Sequence, residues 1–316
     1  MPLDAVHVVA AILTDAHGRV LVNKRPADKT LAGYWEFPGG KLERGESPVD
    51  GLRRELREEL DIEVVEAHPF IQISHDYPDK KVFLDVWRVR NFMGSISAME
   101  AQEIAWLTVS DLSNVQLLEA DFPILKALRL PDKILITPPT FHASERQLAI
   151  MREAIADGAN LIQLRVPGLG DEELLAVSEK TIQVCHSENA TLIVNHSPEF
   201  AARCGAEGLH LNARRLMTLR SRPEGMQWVS ASCHNLSEIH RANSLELDFI
   251  TISPVKSTSS HPAAKLLGWE KFSELASSAN MPVYALGGVD QSDLPTAWRF
   301  GACGIAAISS FWGEAG

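Results

Sequence analysis

Glu55, Glu58 and Glu59 stand within the string Arg54-Glu55-Leu56-Arg57-Glu58-Glu59-Leu60. On a helix these positions (i, i+3, i+4) share one side, beside a stripe of Val49, Leu52, Leu56 and Leu60 that should pack on a sheet. Carboxylates so close repel one another and raise each other's proton affinity unless hard cations sit among them. The chemistry in view is metal-assisted handling of a phosphorylated small molecule. An exposed helix laced by pairs such as Arg54 with Glu58 would use the same residue types. The context argues for more, since Gly40, Glu46, Arg54, Glu55, Glu58 and Glu59 stand at fixed offsets that chance would supply on the order of 10⁻⁵ times in such a chain.

The elements that must position these groups follow from apolar periodicity. The first 130 residues read as strands around one strong helix: Ala5 to Thr14, Val20 to Lys24, a Gly-rich turn, a helix from Pro48 to Leu60, and Val82 to Arg90. This is an α+β pattern, closed by a short helix over Phe122 to Leu130 and broken at Pro131-Asp132. From Lys133 onward, apolar runs at Ile134 to Thr137, Leu161 to Val166, Leu192 to Asn195, Gly208 to Leu211, Gln227 to Ser232, Phe249 to Ser253, Val283 to Leu286 and Gly304 to Ile308 alternate with helical stretches such as Glu145 to Ala156, Glu172 to His186 and Glu270 to Ala279. A repeated βα order predicts parallel strands and an α/β barrel of the (β/α)8 TIM type, with an open doubly wound sheet as the alternative. Because roughly 185 residues are fewer than the ~250 usual for that barrel, its loops must be short and there is room for the last helix to be dropped. The expected domains are therefore 1–130 and 133–316.

Composition narrows the partners. A length of 316 residues with 45% hydrophobic and 22% charged residues supports sizeable cores rather than disorder. A net charge of −11 repels a polyanionic duplex, so a nucleic acid polymer is not the expected partner. Cys185, Cys204, Cys233 and Cys303 show no CxxC spacing, which argues against a zinc ribbon or a disulfide framework. Asp4 stands where a secretion signal carries Lys or Arg, and no run approaches the roughly 18 apolar residues of a membrane span. A cytoplasmic protein with no membrane partner is expected; its oligomeric state is not legible.

The residues Gly40, Glu46, Arg54, Glu55, Leu56, Glu58, Glu59 and Ile62 resemble the Nudix box. Asp61 departs from it, standing where the box has Gly at the helix carboxyl end; Asp tolerates the left-handed conformation at a cost of ~1 kcal/mol. The likeness covers about the first 130 residues and is nearest to the MutT type through Lys24-Arg25, Glu36-Phe37-Pro38-Gly39-Gly40, Glu100 followed by Trp106, and Asp121-Phe122-Pro123. The resemblance implies a Mg²⁺- or Mn²⁺-dependent hydrolase that cleaves oxidised purine nucleoside triphosphates such as 8-oxo-dGTP to a nucleoside monophosphate and pyrophosphate. It implies metal ligation by Glu55, Glu58, Glu59 and the Gly39 carbonyl, catalysis by Glu55, Glu58 and Glu100, with Glu100 as ligand or general base, and a phosphate clamp at Arg25. Glu36, Phe37, Pro38, Gly39, Lys80 and Asp121 would meet the nucleotide. Asp121 replaces an Asn, and Lys80 and Thr30 replace an Arg and a His, which leaves open a diphosphate of a thiamine precursor as the substrate.

In the second domain, Gln163-Leu164-Arg165, Gly208-Leu209-His210-Leu211, Asp248-Phe249-Ile250 with Ser253-Pro254-Val255, and Ala285-Leu286-Gly287-Gly288-Val289 resemble the thiamine phosphate synthase and TenI barrel family over most of residues 133–312. Chemistry in such a barrel sits at the carboxyl ends of the strands. Ligand candidates there are Arg165, Asn195, Thr258, Gly287 and Gly288, with His196, Asn212, Ser232, His234 and Ser253 nearby. The family's pattern is incomplete: Val166 replaces a Lys, His196 an Asp, no Asp near Asn212 matches a metal ligand, and Pro254 replaces the reactive His of the TenI branch. Thiamine phosphate synthesis is accordingly not expected of the barrel, whose role stays open, with a phosphometabolite-binding module or spacer as the competing reading. Cys233 beside His234 is expected to pack rather than react.

Overall fold

A computed structural model describes residues 5–27, 30–78, 80–100, 102–257 and 266–313; Asp4 and Thr258, singled out above, lie outside them. The chain forms two compact units that meet at Arg129 and Leu130. No helix among the described residues is long and apolar enough to cross a membrane.

The first unit holds β1 (Ala5–Leu13), β2 (Val20–Lys24), β3 (Trp35–Glu36), β4 (Gly39–Lys41), α1 (Pro48–Leu60), β5 (Glu63–Asp76), β6 (Lys81–Met93), β7 (Glu103–Leu107), α2 (Val109–Leu112) and α3 (Phe122–Ala127). One mixed sheet has the order β4-β1-β6-β5 and a second the order β3-β2-β7. The start of α1 is written in its sequence, because the Ser47 hydroxyl accepts the Asp50 N–H at 3.3 Å and Pro48 opens the helix. Leu52, Leu56 and Leu60 pack with Val9, Ala11, Leu13 and Leu21, while Val49 lies half-buried at the edge of the stripe. Asp61 ends the helix in the left-handed conformation (φ 56°, ψ 38°), as its place in the motif requires.

In the second unit, β8 (Lys133–Ile136), β9 (Leu161–Leu164), β10 (Thr191–Val194), β11 (Gly208–Leu211), β12 (Trp228–Cys233), β13 (Phe249–Ile252), β14 (Val283–Leu286) and β15 (Gly304–Ala307) pair in parallel and close into a barrel. Around them run α4 (Glu145–Ala156), α5 (Asp171–Ser187), α6 (Pro198–Cys204), α7 (Ala213–Thr218), α8 (Leu236–Ser244), α9 (Gly268–Ala276) and α10 (Leu294–Arg299). The open-sheet alternative is thereby excluded. After the last strand the chain retains a short α11 (Ser309–Trp312), and the buried Trp312 anchors it by donating to the Ile136 carbonyl at 2.9 Å. The four cysteines are buried and stand outside any disulfide, and Cys233 packs in the core.

Candidate functional site

The glycine turn and the start of α1 place the carboxylates of the first unit. Gly39 has φ 146°, and a Cβ there would stand 2.1 Å from the Val9 carbonyl; at Gly40 it would stand 2.3 Å from the Glu55 carboxyl carbon. Only glycines let the β4 backbone lie this close to β1 while the Glu55 carboxylate rests on the turn. Glu59 turns inward, 8% exposed, and accepts the Gly39 N–H at 3.1 Å. Burial pushes its carboxyl up to about 8; the Gly39 N–H opposes this and the charges of Glu55, Glu36 and Glu100 reinforce it. Glu58, with a side chain 56% exposed, points outward.

The three helix glutamates therefore do not stand alike. Arg54 Nη1 donates to Glu55 at 2.8 Å and to Glu58 at 3.3 Å, whereas Glu59 faces the turn. Among the described residues no three acidic, histidine or cysteine side chains stand grouped so as to hold a metal ion. The donor chemistry nevertheless fits a hard divalent cation, since Glu55, Glu100 and Glu36 all act on the buried Glu59 and every donor is oxygen. Gln102, which the sequence reading did not single out, ties these groups together. Its Nε2 donates to the Glu59 carbonyl at 3.0 Å and its Oε1 accepts the Glu100 N–H at 2.9 Å.

Beside the carboxylates lies a polar pocket. The guanidinium of Arg25 is paired with Glu36 and donates from Nε to the Thr30 carbonyl at 2.8 Å. Phe37 and Pro38 are buried. Asp121 is 5% exposed, receives the Phe37 N–H, and has one oxygen, Oδ2, without a partner. Burial, followed by the charge of Glu36, holds its carboxyl well above the usual carboxylate range, against the Phe37 N–H and Arg25. Tyr77 belongs to this pocket and was not anticipated: its hydroxyl accepts the Ala120 N–H at 3.4 Å, and Asp121, Glu119 and Arg25 all act on it. Lys80 lies with Nζ 5.6 Å over the Tyr77 ring. Asn23, opposite Glu36 in the β2–β3 register, is buried with Oδ1 unpartnered.

The barrel interior is polar at its centre. Ile162 and Leu164, Leu209 and Leu211, Val229, Ala231 and Cys233, and Ile250 and Ile252 pack in the core shared with the helices. By alternation Gln163, His210, Ser230, Ser232 and Thr251 face inward. His210 lies between two hydroxyls, Nδ1 2.8 Å from Ser230 Oγ and Nε2 2.8 Å from Ser232 Oγ, and Thr251 donates to Ser232 at 3.4 Å. Burial, aided by the charge of Arg165, lowers its pKa to about 3, so the ring is neutral.

A NUDIX domain model matches residues 8–127, and a model described as thiamine monophosphate synthase matches residues 134–311. The chain belongs to both families, one in each unit. The CTP pyrophosphohydrolase of Escherichia coli is 38% identical over 125 residues, 40% of this chain and 92% of the relative. The 8-oxo-dGTP diphosphatase of Proteus vulgaris is 36% identical over 97 residues, 31% of this chain and 87% of the relative. A protein of Aquifex aeolicus, named provisionally as a second thiamine-phosphate synthase, is 32% identical over 170 residues, 53% of this chain and 90% of the relative.

Within the synthase-family barrel the candidates take different places. Arg165 and Asn195 follow neighbouring strands, with the Asn195 N–H bonded to the Leu164 carbonyl at 2.9 Å. Asn212 caps α7, its Oδ1 accepting the Arg215 N–H at 2.9 Å. Ser232 is engaged by His210, and the His234 ring lies 2.9 Å from the Ser253 carbonyl. Gly287 and Gly288 are packed rather than open, since a Cβ at Gly287 would stand 2.8 Å from Pro254 and one at Gly288 2.2 Å from the Ser257 carbonyl. Their close packing alone accounts for glycine at both positions.

Proposed function

We propose that the Nudix unit hydrolyses oxidised purine nucleoside triphosphates of the 8-oxo-dGTP type to the nucleoside monophosphate and pyrophosphate, with Mg²⁺. The observation that carries this reading is the buried Asp121 beside the carboxylate turn, its Oδ2 without a partner and its carboxyl held above the usual range by burial. A neutral carboxyl offers a hydrogen-bond donor and an acceptor on one edge, as a purine-reading amide does. Glu55, Glu58, Glu59 and the Gly39 carbonyl would hold the metal, with Glu100 as a further ligand or the general base. Mg²⁺ bound there supplies neutralisation of the phosphate charge and acidifies water. Arg25 would grip a phosphate with its fork on leaving Glu36, while Phe37, Pro38, Tyr77 and Lys80 frame the nucleoside. Water adds to phosphorus within the diphosphate linkage, the bridging P–O bond breaks, and the proton of the water passes to a carboxylate.

A second reading is CTP hydrolysis, favoured by the 38% identity to a CTP pyrophosphohydrolase. In its neutral form the same Asp121 carboxyl could donate to cytosine N3 and accept from its amino group. Turnover of 8-oxo-dGTP, dGTP, CTP and a pyrimidine-precursor diphosphate, measured side by side with Mg²⁺, tests both readings. Preference for 8-oxo-dGTP that disappears in Glu58→Gln with the fold intact is the expected result. Preference for CTP or the precursor diphosphate replaces the oxidised-purine reading, and undiminished turnover in Glu58→Gln removes Glu58 from the metal set. The barrel is proposed to serve as a phosphometabolite-binding module.

A further inference from the structure

Membership of the thiamine monophosphate synthase family implies a divalent cation at the barrel mouth, and the residues present do not fit one. His196 stands where an acid is expected, and the Asn212 side-chain oxygen is engaged at the α7 cap. Asp171 lies 3.6 Å from His196 Nε2 and 3.7 Å from Arg203 Nη2, so its charge is already met. Asp293 is paired with Lys256 at 2.5 Å, and Asp290 accepts the Ser292 N–H at 2.8 Å. Among the described residues no three acidic, histidine or cysteine side chains gather there.

What the carboxyl ends of β9 to β11 carry instead is positive charge and an unmet acceptor. Arg165, half-buried after β9, has no hydrogen bond or ion pair for its guanidinium among the described residues, yet it lies near enough to His210 to act on its titration. Arg215, half-buried at the start of α7, acts likewise on His196. Two residues below Arg165 and on the same inward face, Gln163 is 2% exposed with its Oε1 unpartnered. A buried amide oxygen without a donor is costly, and a ligand bearing a hydroxyl or N–H would relieve it.

We propose that the barrel mouth binds a phosphate-bearing small molecule directly on Arg165 and Arg215, with no divalent cation between protein and phosphate. The guanidinium fork meets phosphate oxygens in pairs, and the neutral His210 file adds no carboxylate that a metal would have to offset. Gln163 adds the requirement of a hydrogen-bond donor next to the anion.

The test is calorimetric titration of the full chain with inorganic phosphate and, separately, inorganic pyrophosphate, each in EDTA and each in excess Mg²⁺. In EDTA, phosphate is expected to bind, and Arg165→Ala to weaken that binding by about tenfold or more. The Arg165-dependent component should change less than about twofold when Mg²⁺ is supplied. Arg165→Gln, which keeps the length of the stem, guards against a folding defect, and both variants are compared with wild type by thermal melting. The difference between wild type and variant isolates the barrel from the Nudix site in the same chain. Binding that is absent, that is undiminished in both variants, or that depends on Arg165 only when Mg²⁺ is present overturns the proposal.

Discussion

Arg54 meets Glu46 edge to edge, Nε to Oε1 at 3.0 Å and Nη2 to Oε2 at 3.0 Å. The same guanidinium donates to the Lys41 carbonyl at 3.1 Å and to Glu55 at 2.8 Å, so one side chain fixes the turn and aims a carboxylate. The fork, above all its hydrogen bonds to Glu46, explains why that carboxyl lies below its usual range. A lysine ammonium cannot span these acceptors. Arg54→Lys is therefore expected to lower kcat by about 10- to 100-fold through misplacement of Glu55, and to cost no more than about 1 kcal/mol of stability. Steady-state hydrolysis and thermal melting of the same preparation separate the two effects; an unchanged kcat would remove the positioning role.

Glu59 gives the Nudix unit a defined pH response in the absence of metal. Its folded pKa of about 8 exceeds the ordinary 4.5, so the folded state holds the proton more tightly than the unfolded chain. The stability this group contributes is complete below its unfolded pKa and drains as pH rises toward about 8. Glu59→Gln mimics the protonated form and removes that titration. In EDTA, wild type should lose stability relative to the variant as pH rises, with a slope of at most about 1.4 kcal/mol per pH unit. Urea unfolding of both proteins across this range reads the difference; parallel curves would show that Glu59 is ionised throughout.

How much of this was legible in advance depends on the regularity of each segment. Helix α1 was readable because the leucine stripe and the glutamates beside it repeat at helical spacing, and Ser47 and Pro48 fix its start in the fold. The barrel strands were found as short apolar runs between polar helices, with ends misplaced by a residue or two where buried polar groups such as Thr137 continue the run. Strand β5 went unread, since Pro69 and the register shifts at Val64/Glu66, Glu66/Ala67 and Pro69/Ile71 break its alternation. Tyr77 lies just beyond that strand and was lost with it. Asn23 and Gln102 carry no periodic signal; only the fold shows that their amides are buried beside Glu36 and Glu59.

Asp121 should read its base through the carboxyl that burial holds above the usual range. Asp121→Asn preserves one donor and one acceptor at the same place, and kcat/KM for the preferred nucleotide is expected to stay within about threefold of wild type. Asp121→Leu, similar in bulk and without polar atoms, should lose about 100-fold or more. Kinetics of the two variants on 8-oxo-dGTP and CTP decide the matter. Equal losses in both would mean that Asp121 supports the pocket without touching the base.

His210 sets an acid limit on the barrel. Its folded pKa of about 3 lies below the ordinary 6.5, because the ring is buried between Ser230 and Ser232 and close to the charge of Arg165. A weakly held proton in the folded state means that the unfolded chain binds more protons as pH falls below 6.5. Stability is therefore full above that value and is lost progressively on the way down to about 3. His210→Gln retains a donor and an acceptor within the hydroxyl file but cannot titrate. Calorimetric melting from neutral to mildly acidic buffer should show the wild-type barrel transition falling more steeply than that of the variant, by up to about 1.4 kcal/mol per pH unit. If both fall together, His210 takes up its proton without leaving the fold, and acid sensitivity of the barrel originates elsewhere.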